Sequence, residues 1–224
     1  MALDRKAFGE ISGELKRQRV KLVAVSKTKP VEDILALYTM GHRDFGENYV
    51  QEMAEKQSKL PEDIRWHFIG HLQSNKVKYI ASFVEMIHGV DSFRLLKEIN
   101  KQGAKLNKKI RCLLQIHIAA EETKFGLDEN ELNELAKEYT NAEEFDFVDV
   151  CGLMGMASFS ENKDQIRTEF QMLKKLFDDV KERYFYHVDS FSEISMGMSS
   201  DYKIAIEEGS TMVRIGSLIF GERA

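Results

Sequence analysis

The strongest constraint on this chain is an alternation of two hydrophobic periods along most of its length. Short runs rich in valine, isoleucine and leucine alternate with longer charged segments whose apolar residues recur every three or four positions. The first pattern reads as a buried strand and the second as an amphipathic helix. Strand-like runs occupy residues 22–27, 43–48, 65–70, 86–90, 110–118, 147–156 and 211–216. Helical patterns cover 4–19, 31–40, 49–59, 76–83, 92–106, 128–139, 163–183 and 202–208, and residues 184–189 lead into a glycine- and serine-rich turn. Counted by type, the strand–helix unit recurs about eight times. Strands separated by helices of this length pair in parallel through right-handed crossovers. Eight such units in 224 residues close most economically into an α/β (β/α)8 barrel, here with an extra N-terminal helix. An open doubly wound sheet is the alternative. It usually begins with a glycine-rich dinucleotide loop, and Ser26-Lys27-Thr28-Lys29-Pro30 is no such loop.

Composition narrows the function. Two prolines and no Gly/Ser linker leave no visible boundary, so residues 1–224 read as one domain. A net charge of -5 gives no basic footprint and argues against a nucleic-acid partner. No apolar run reaches membrane-spanning length, and the N-terminus lacks the hydrophobic core of a signal peptide. The expected compartment is the cytoplasm, with no membrane partner. Cys112 and Cys151 both lie in apolar runs and read as small buried hydrophobes. No paired cysteines, HExxH motif or carboxylate cluster points to a metal. No coiled coil or large apolar stripe is visible, which reads as a monomer.

A barrel carries its chemistry at the C-terminal ends of its strands. The first such end holds Lys27, which continues the face of Val23 and Val25. A lysine on an apolar face is either a snorkelling or paired cation, or a desolvated amine able to attack a carbonyl. The other strand ends supply Asn48, Gly70-His71, Val90-Asp91, His117, Met154, the 195–201 turn and Gly216-Ser217. In that turn Gly197 permits close approach of a ligand, and Ser199 and Ser200 offer hydroxyls and amides. With Gly216 and Ser217 they form a candidate anion site in the loops after strands seven and eight. Ordinary tight turns would use the same residues. Arg214 alternates with Val213 and Ile215, points into the barrel, and needs a partner there: a ligand ring nitrogen, a ligand carboxylate, or a structural salt bridge. His71, Gln73, Asn75 and Lys76 could reach a ligand or only cap a helix, and His117 could do either. His67 and His88 read as satisfied core histidines, the methionines as packing, and Glu121-Glu122 as a solvated loop.

Taken together, six segments resemble the pyridoxal-phosphate homeostasis proteins, single-domain relatives of the alanine racemase barrel. They are residues 22–30 (LVAVSKTKP), 45–52 (FGENYVQE), 66–76 (WHFIGHLQSNK), 152–154 (GLM), 195–201 (SMGMSSD) and 209–223 (GSTMVRIGSLIFGER). The resemblance spans nearly the whole chain and implies a modified TIM barrel holding pyridoxal 5'-phosphate (PLP). It implies that Lys27 forms the internal aldimine and that Arg214 faces the pyridine nitrogen. It assigns Gly216 and Ser217, with Ser199 and Ser200, to the phosphate cradle, and places Asn48 beside the cofactor and Met154 near the ring. The chain departs from the pattern at His117, where asparagine is usual, and in residues 121–126 (EETKFG), which keep the Glu-x-x-Lys-x-Gly pattern only in part. Its N-terminal helix is short for the family, and the GLM strand continues as Gly155-Met156-Ala157.

An arginine opposite the ring nitrogen keeps that nitrogen unprotonated and weakens the ring as an electron sink. Racemases of this barrel type, by resemblance, also use a tyrosine from a second domain, and no such domain is expected here. The expected role is a PLP carrier or buffer without robust catalysis, serving PLP-dependent apo-enzymes. A weak amino-acid racemase, a Schiff-base aldolase on a phosphorylated sugar and a non-catalytic scaffold are the alternatives.

Overall fold

The computed structural model describes residues 3–120, 125–142 and 144–221. Eight strands are present: β1 (Lys21–Val25), β2 (Asp44–Glu47), β3 (Arg65–Phe68), β4 (Val84–Val90), β5 (Ile110–Ile116), β6 (Val148–Gly155), β7 (Glu193–Ser195) and β8 (Met212–Ile215). They pair in parallel, in sequence order, and close into a barrel. The closing pair is β1 with β8, in the register Lys21↔Met212 to Ala24↔Ile215. The helices are α1 (Arg5–Arg17), α2 (Val31–Thr39), α3 (Val50–Gln57), α4 (Phe93–Leu106), α5 (Glu129–Asn141), α6 (Lys163–Tyr184), α7 (Tyr202–Glu207) and α8 (Ser217–Phe220). The barrel expected from the alternation of periods is therefore present.

Helix starts follow local chemistry. Asp4, Ser92 and Asn162 cap α1, α4 and α6 through their side-chain oxygens, and Asp128 forms a reciprocal capping box with Glu131 at α5. Gly41 follows α2 at φ +91, the left-handed stop expected of it. Between strands and helices lies one continuous apolar layer, to which α1 contributes Phe8, Ile11 and Leu15.

Inside the barrel the filling divides by chemistry. One part is Val23, Met86, Leu113, Cys151, Met154 and Met212. The other is polar: Asp44, His67, His88, Ser195 and Arg214 are all buried. Cys112 and Cys151 are free and buried, as their apolar runs implied, and burial pushes the Cys151 thiol up to about 11.

Four boundaries differ from the sequence expectation. β1 stops at Val25, so Lys27 lies in the turn beyond it, where Thr28 adopts φ +64. The expected helix at 76–83 is a 3-10 helix, Ser74–Tyr79, and the chain leaves it at Ile80 and Ala81, which are buried in the core with Val77. β7 is only three residues long, Glu-Ile-Ser, too short and too polar to carry a strand period. β5 ends at Ile116, which leaves His117 just past the strand.

Gly152 sits where β6 passes β7, at φ +149, and a Cβ there would lie 1.8 Å from the carbonyl oxygen of Glu193. No side-chain rotation relieves a clash with backbone. Gly152→Ala should lower the unfolding free energy by about 2 kcal/mol or more. Urea denaturation measures this, and an unchanged midpoint would contradict the close β6–β7 approach.

Candidate active site at the barrel mouth

A cavity of ≈ 540 Å³ opens at the C-terminal end of the barrel, within the usual size range for a small-molecule site. Val25, Lys27 and Lys29 line it from the β1 side and Asn48 from the β2 side. Met198, Ser199 and Ser200 face it from beyond β7, and Arg214, Gly216 and Ser217 from β8 and its end. The alternation read in the sequence holds: Val23 is in the barrel interior, while Val25 and Lys27 reach the cavity. Lys27 is half-buried rather than fully desolvated, because it sits beyond the last strand residue.

Arg214 forms the floor of the site. It is 3% exposed and donates through Nη1 to the Ser195 carbonyl (2.8 Å) and Oγ (2.7 Å), and through Nη2 to the Gly155 carbonyl (3.0 Å). Its partners are carbonyls and a hydroxyl, so the structural salt bridge weighed from the sequence is absent among the described residues. Burial pushes its pKa down to about 10, against the pull of Asp201, and the guanidinium still carries its charge at neutral pH. Three bonds leave a guanidinium with donors to spare, since it has five N–H groups.

A buried chain runs from Arg214 to the far end of the barrel. Ser195 Oγ lies 3.1 Å from His88 Nδ1, His88 Nε2 lies 2.9 Å from His67 Nδ1, and His67 Nε2 lies 3.1 Å from Asp44 Oδ1. Arg65 closes the chain with a forked pair of bonds to Asp44. An arginine only donates and an ionised carboxylate only accepts, so the donors all run from Arg214 toward Asp44. His67 and His88 are thus satisfied core histidines, as expected.

The small-residue turns form the opposite wall. Gly197, at φ +92, turns the chain so closely over α7 that a Cβ would meet that of Ala205 at 2.5 Å. At Gly216 a Cβ would press on the Val25 carbonyl at 3.2 Å. The Gly216 amide donates to Ser199 Oγ (3.3 Å) and ties the two turns together. Among the described residues, the amides of Ser199, Ser200 and Ser217 donate to no protein acceptor. Asn48 Oδ1 is buried and likewise has no protein partner.

Of the residues singled out from sequence, Lys27, Asn48, Ser199, Ser200, Arg214, Gly216 and Ser217 share this one cavity. Met154 does not. It is fully buried in the interior layer, and Met156, two residues on and past the end of β6, takes the place on the wall. His71 is also off the wall: its Nδ1 lies 3.1 Å from Asp91 Oδ2 and its ring stacks on Phe125. Glu121, Glu122 and most of the 121–126 segment lie outside the described residues. Lys29 and Met156 were not anticipated. Both lie past a strand end, and the left-handed Thr28 before Lys29 breaks the strand period that could have placed it.

The family of the alanine racemase N-terminal domain matches residues 8–224. A pyridoxal phosphate homeostasis protein of Aquifex aeolicus is 43% identical over 204 residues, which cover 91% of this chain and 87% of that one. This chain belongs to the pyridoxal phosphate homeostasis protein family. PipY of Synechococcus elongatus, solved without PLP, superposes on this family member with a TM-score of 0.89 at 30% identity, over 96% of this chain and 99% of PipY. The same protein with PLP bound gives 0.83 at 31% identity, over 95% and 99% of the two chains. Alanine racemase from Bartonella henselae shares the fold alone: 18% identity and a TM-score of 0.69, over 97% of this chain and 59% of the racemase.

The buried chain gives this homeostasis-family protein a pH signature. Burial, and then the neighbouring His67 and Arg214, push the His88 pKa well below its ordinary 6.5. The unfolded chain therefore binds a proton below that pH that the folded chain refuses, and stability falls as pH falls. Burial pushes the Asp44 carboxyl up, but bonds from Arg65 and His67 outweigh it and the net shift is downward. Its contribution is complete at neutral pH and is lost only below the ordinary carboxylate range. Urea unfolding should show stability declining from about pH 7 to about pH 5, by up to about 1.4 kcal/mol per unit from His88. His88→Gln should reduce that slope and leave the part that comes from His42, whose pKa burial also lowers. A flat wild-type profile would contradict the neutral buried ring.

Proposed function

We propose that this protein holds PLP in the barrel-mouth cavity through Lys27 and passes it to PLP-dependent apo-enzymes, acting as a carrier rather than a robust catalyst. The observation that carries this reading is the meeting of a primary amine, a buried arginine and two glycine–serine turns on one cavity. The Aquifex relative bears the homeostasis name, and PipY has been solved with PLP bound.

The residues present fit the coenzyme. A phosphate needs donors, and Ser199, Ser200 and Ser217, whose amides are unengaged among the described residues, line the cavity beside a glycine whose missing side chain leaves room for close approach. The ring nitrogen needs a donor, and Arg214 has N–H groups left over. Asn48 Oδ1 lacks a donor, which a ring hydroxyl or an ordered water would supply.

Bound PLP supplies an aldehyde that condenses with a primary amine, releases water and is freed again by exchange with another amine. Lys27 is the primary amine at the first strand end. Arg214, still charged, can donate to the ring nitrogen but cannot accept from it. A ring nitrogen held there would stay unprotonated, which would leave the ring a weak sink for electrons. Racemisation also needs an acid–base group on each side of the reacting carbon. Among the described wall residues the titratable groups are Lys27, Lys29 and Arg214, and both lysines come from one turn. This favours holding and release over turnover.

We further propose a monomer in the cytoplasm, whose reducing conditions suit the two free buried thiols. No helix among the described residues is long and apolar enough to cross a membrane.

Protein loaded with PLP should show a visible absorbance band that Lys27→Ala abolishes and Lys29→Ala retains. The loaded protein should exchange the α-proton of common amino acids negligibly in deuterated water. Rapid exchange would favour the racemase alternative, and a band retained in Lys27→Ala would refute the assignment of the amine.

A further inference from the structure

Lys56, on α3, is a lysine buried to 6% exposure whose Nζ is surrounded by acceptors. It donates to the Ser26 carbonyl at 2.7 Å, to Glu47 Oε1 at 2.8 Å and to Glu52 Oε1 at 2.7 Å. Glu52 Oε1 also accepts from the Thr28 amide at 2.6 Å, and Glu47 Oε1 from the Ser26 hydroxyl at 2.6 Å. The cluster therefore grips residue 26 and residue 28, the two neighbours of Lys27. Neither Lys56 nor the two glutamates lines the cavity.

Two features show that this grip is more than packing. Thr28 is β-branched and stands at φ +64, a conformation that persists only where its surroundings over-determine it. Its amide is fixed by Glu52 alone among the described residues. An ammonium and a fully buried carboxylate have also been taken out of water at a cost that an apolar plug of equal volume would avoid. What the ions provide instead is direction: each bond fixes an atom of the turn relative to α3 and β2.

We infer that Lys56, Glu47 and Glu52 are positioning residues that preset the turn at 26–28, so that the Lys27 amine stands at the cavity wall before a ligand arrives. The inference rests on the reading of Lys27 as the attachment point for PLP. In that attachment the lysine nitrogen forms a C=N bond to the aldehyde carbon, and the aldehyde oxygen leaves as water. The cluster lies outside the cavity lining. Its loss weakens the covalent step and spares recognition of the phosphate and ring, which belongs to the β7 and β8 turns.

The test compares PLP with 4-deoxypyridoxine 5'-phosphate, which lacks the aldehyde and reports recognition without attachment. Equilibrium titration of the full chain and of Lys56→Met with both ligands gives four dissociation constants. The inference expects the PLP constant to rise about tenfold in Lys56→Met while that of the deoxy analogue stays within about twofold. Should Lys56→Met fail to fold, Glu52→Ala decides. Its side chain is partly exposed, and its loss removes the acceptor of the Thr28 amide; an increase of about threefold for PLP alone is expected. A parallel rise for both ligands, or no change for either, would overturn the positioning role. Wild-type protein that binds PLP no better than the deoxy analogue would sink the Lys27 reading itself, and the inference with it.

Discussion

Closure of the barrel by β1 and β8 is the constraint on which the site depends. The register Val23↔Arg214 and Ala24↔Ile215 joins strands that lie about as far apart in sequence as the chain allows. Two residues past the ends of these strands, Val25 and Ile215, stand Lys27 and Ser217, and both line the same cavity. The amine and one glycine–serine turn are therefore neighbours through a ladder of backbone hydrogen bonds, not through flexible contact. Gly216 makes the join close, since any side chain there would press on Val25. A doubly wound open sheet keeps its first strand in the middle and would not have paired β1 with β8.

The second determinant is the split filling of the barrel. On one side methionine, leucine, valine and cysteine pack without hydrogen-bonding demands. On the other, five polar residues form a chain in which every buried partner is matched, from Arg214 through Ser195, His88 and His67 to Asp44. Burying an arginine is costly unless its donors are satisfied. Here two carbonyls and a hydroxyl hold the guanidinium in place while part of it still faces the cavity. The arginine is thus charged, fixed and directed at the cavity, as the proposed carrier role requires.

Much of this was legible in the sequence because it follows from two short-range rules. Alternation along strands put Lys27 on the face of Val23 and Val25, and Arg214 opposite Val213 and Ile215. Recurrence of strand and helix gave the barrel, and the barrel gave the rule that strand ends carry function. What the sequence did not show depends on longer-range geometry. Met154 and Met156 share one face, and only the end of β6 at Gly155 decides which of them sees the cavity. The three-residue β7 has no period to read and is a strand because β6 lies beside it. Lys56 looks like any charged residue of a surface helix, and its burial is set by where Glu47, Glu52 and Ser26 converge.

The account stands on one amine. Lys27 and Lys29 border the same cavity, two positions apart, and both are chemically able to hold an aldehyde. Borohydride reduction of the PLP-loaded protein, followed by peptide mass mapping, separates them directly. The account predicts a pyridoxyl mass on Lys27 with Lys29 unmodified. The label on Lys29, or spread over surface lysines in proportion to exposure, would contradict it.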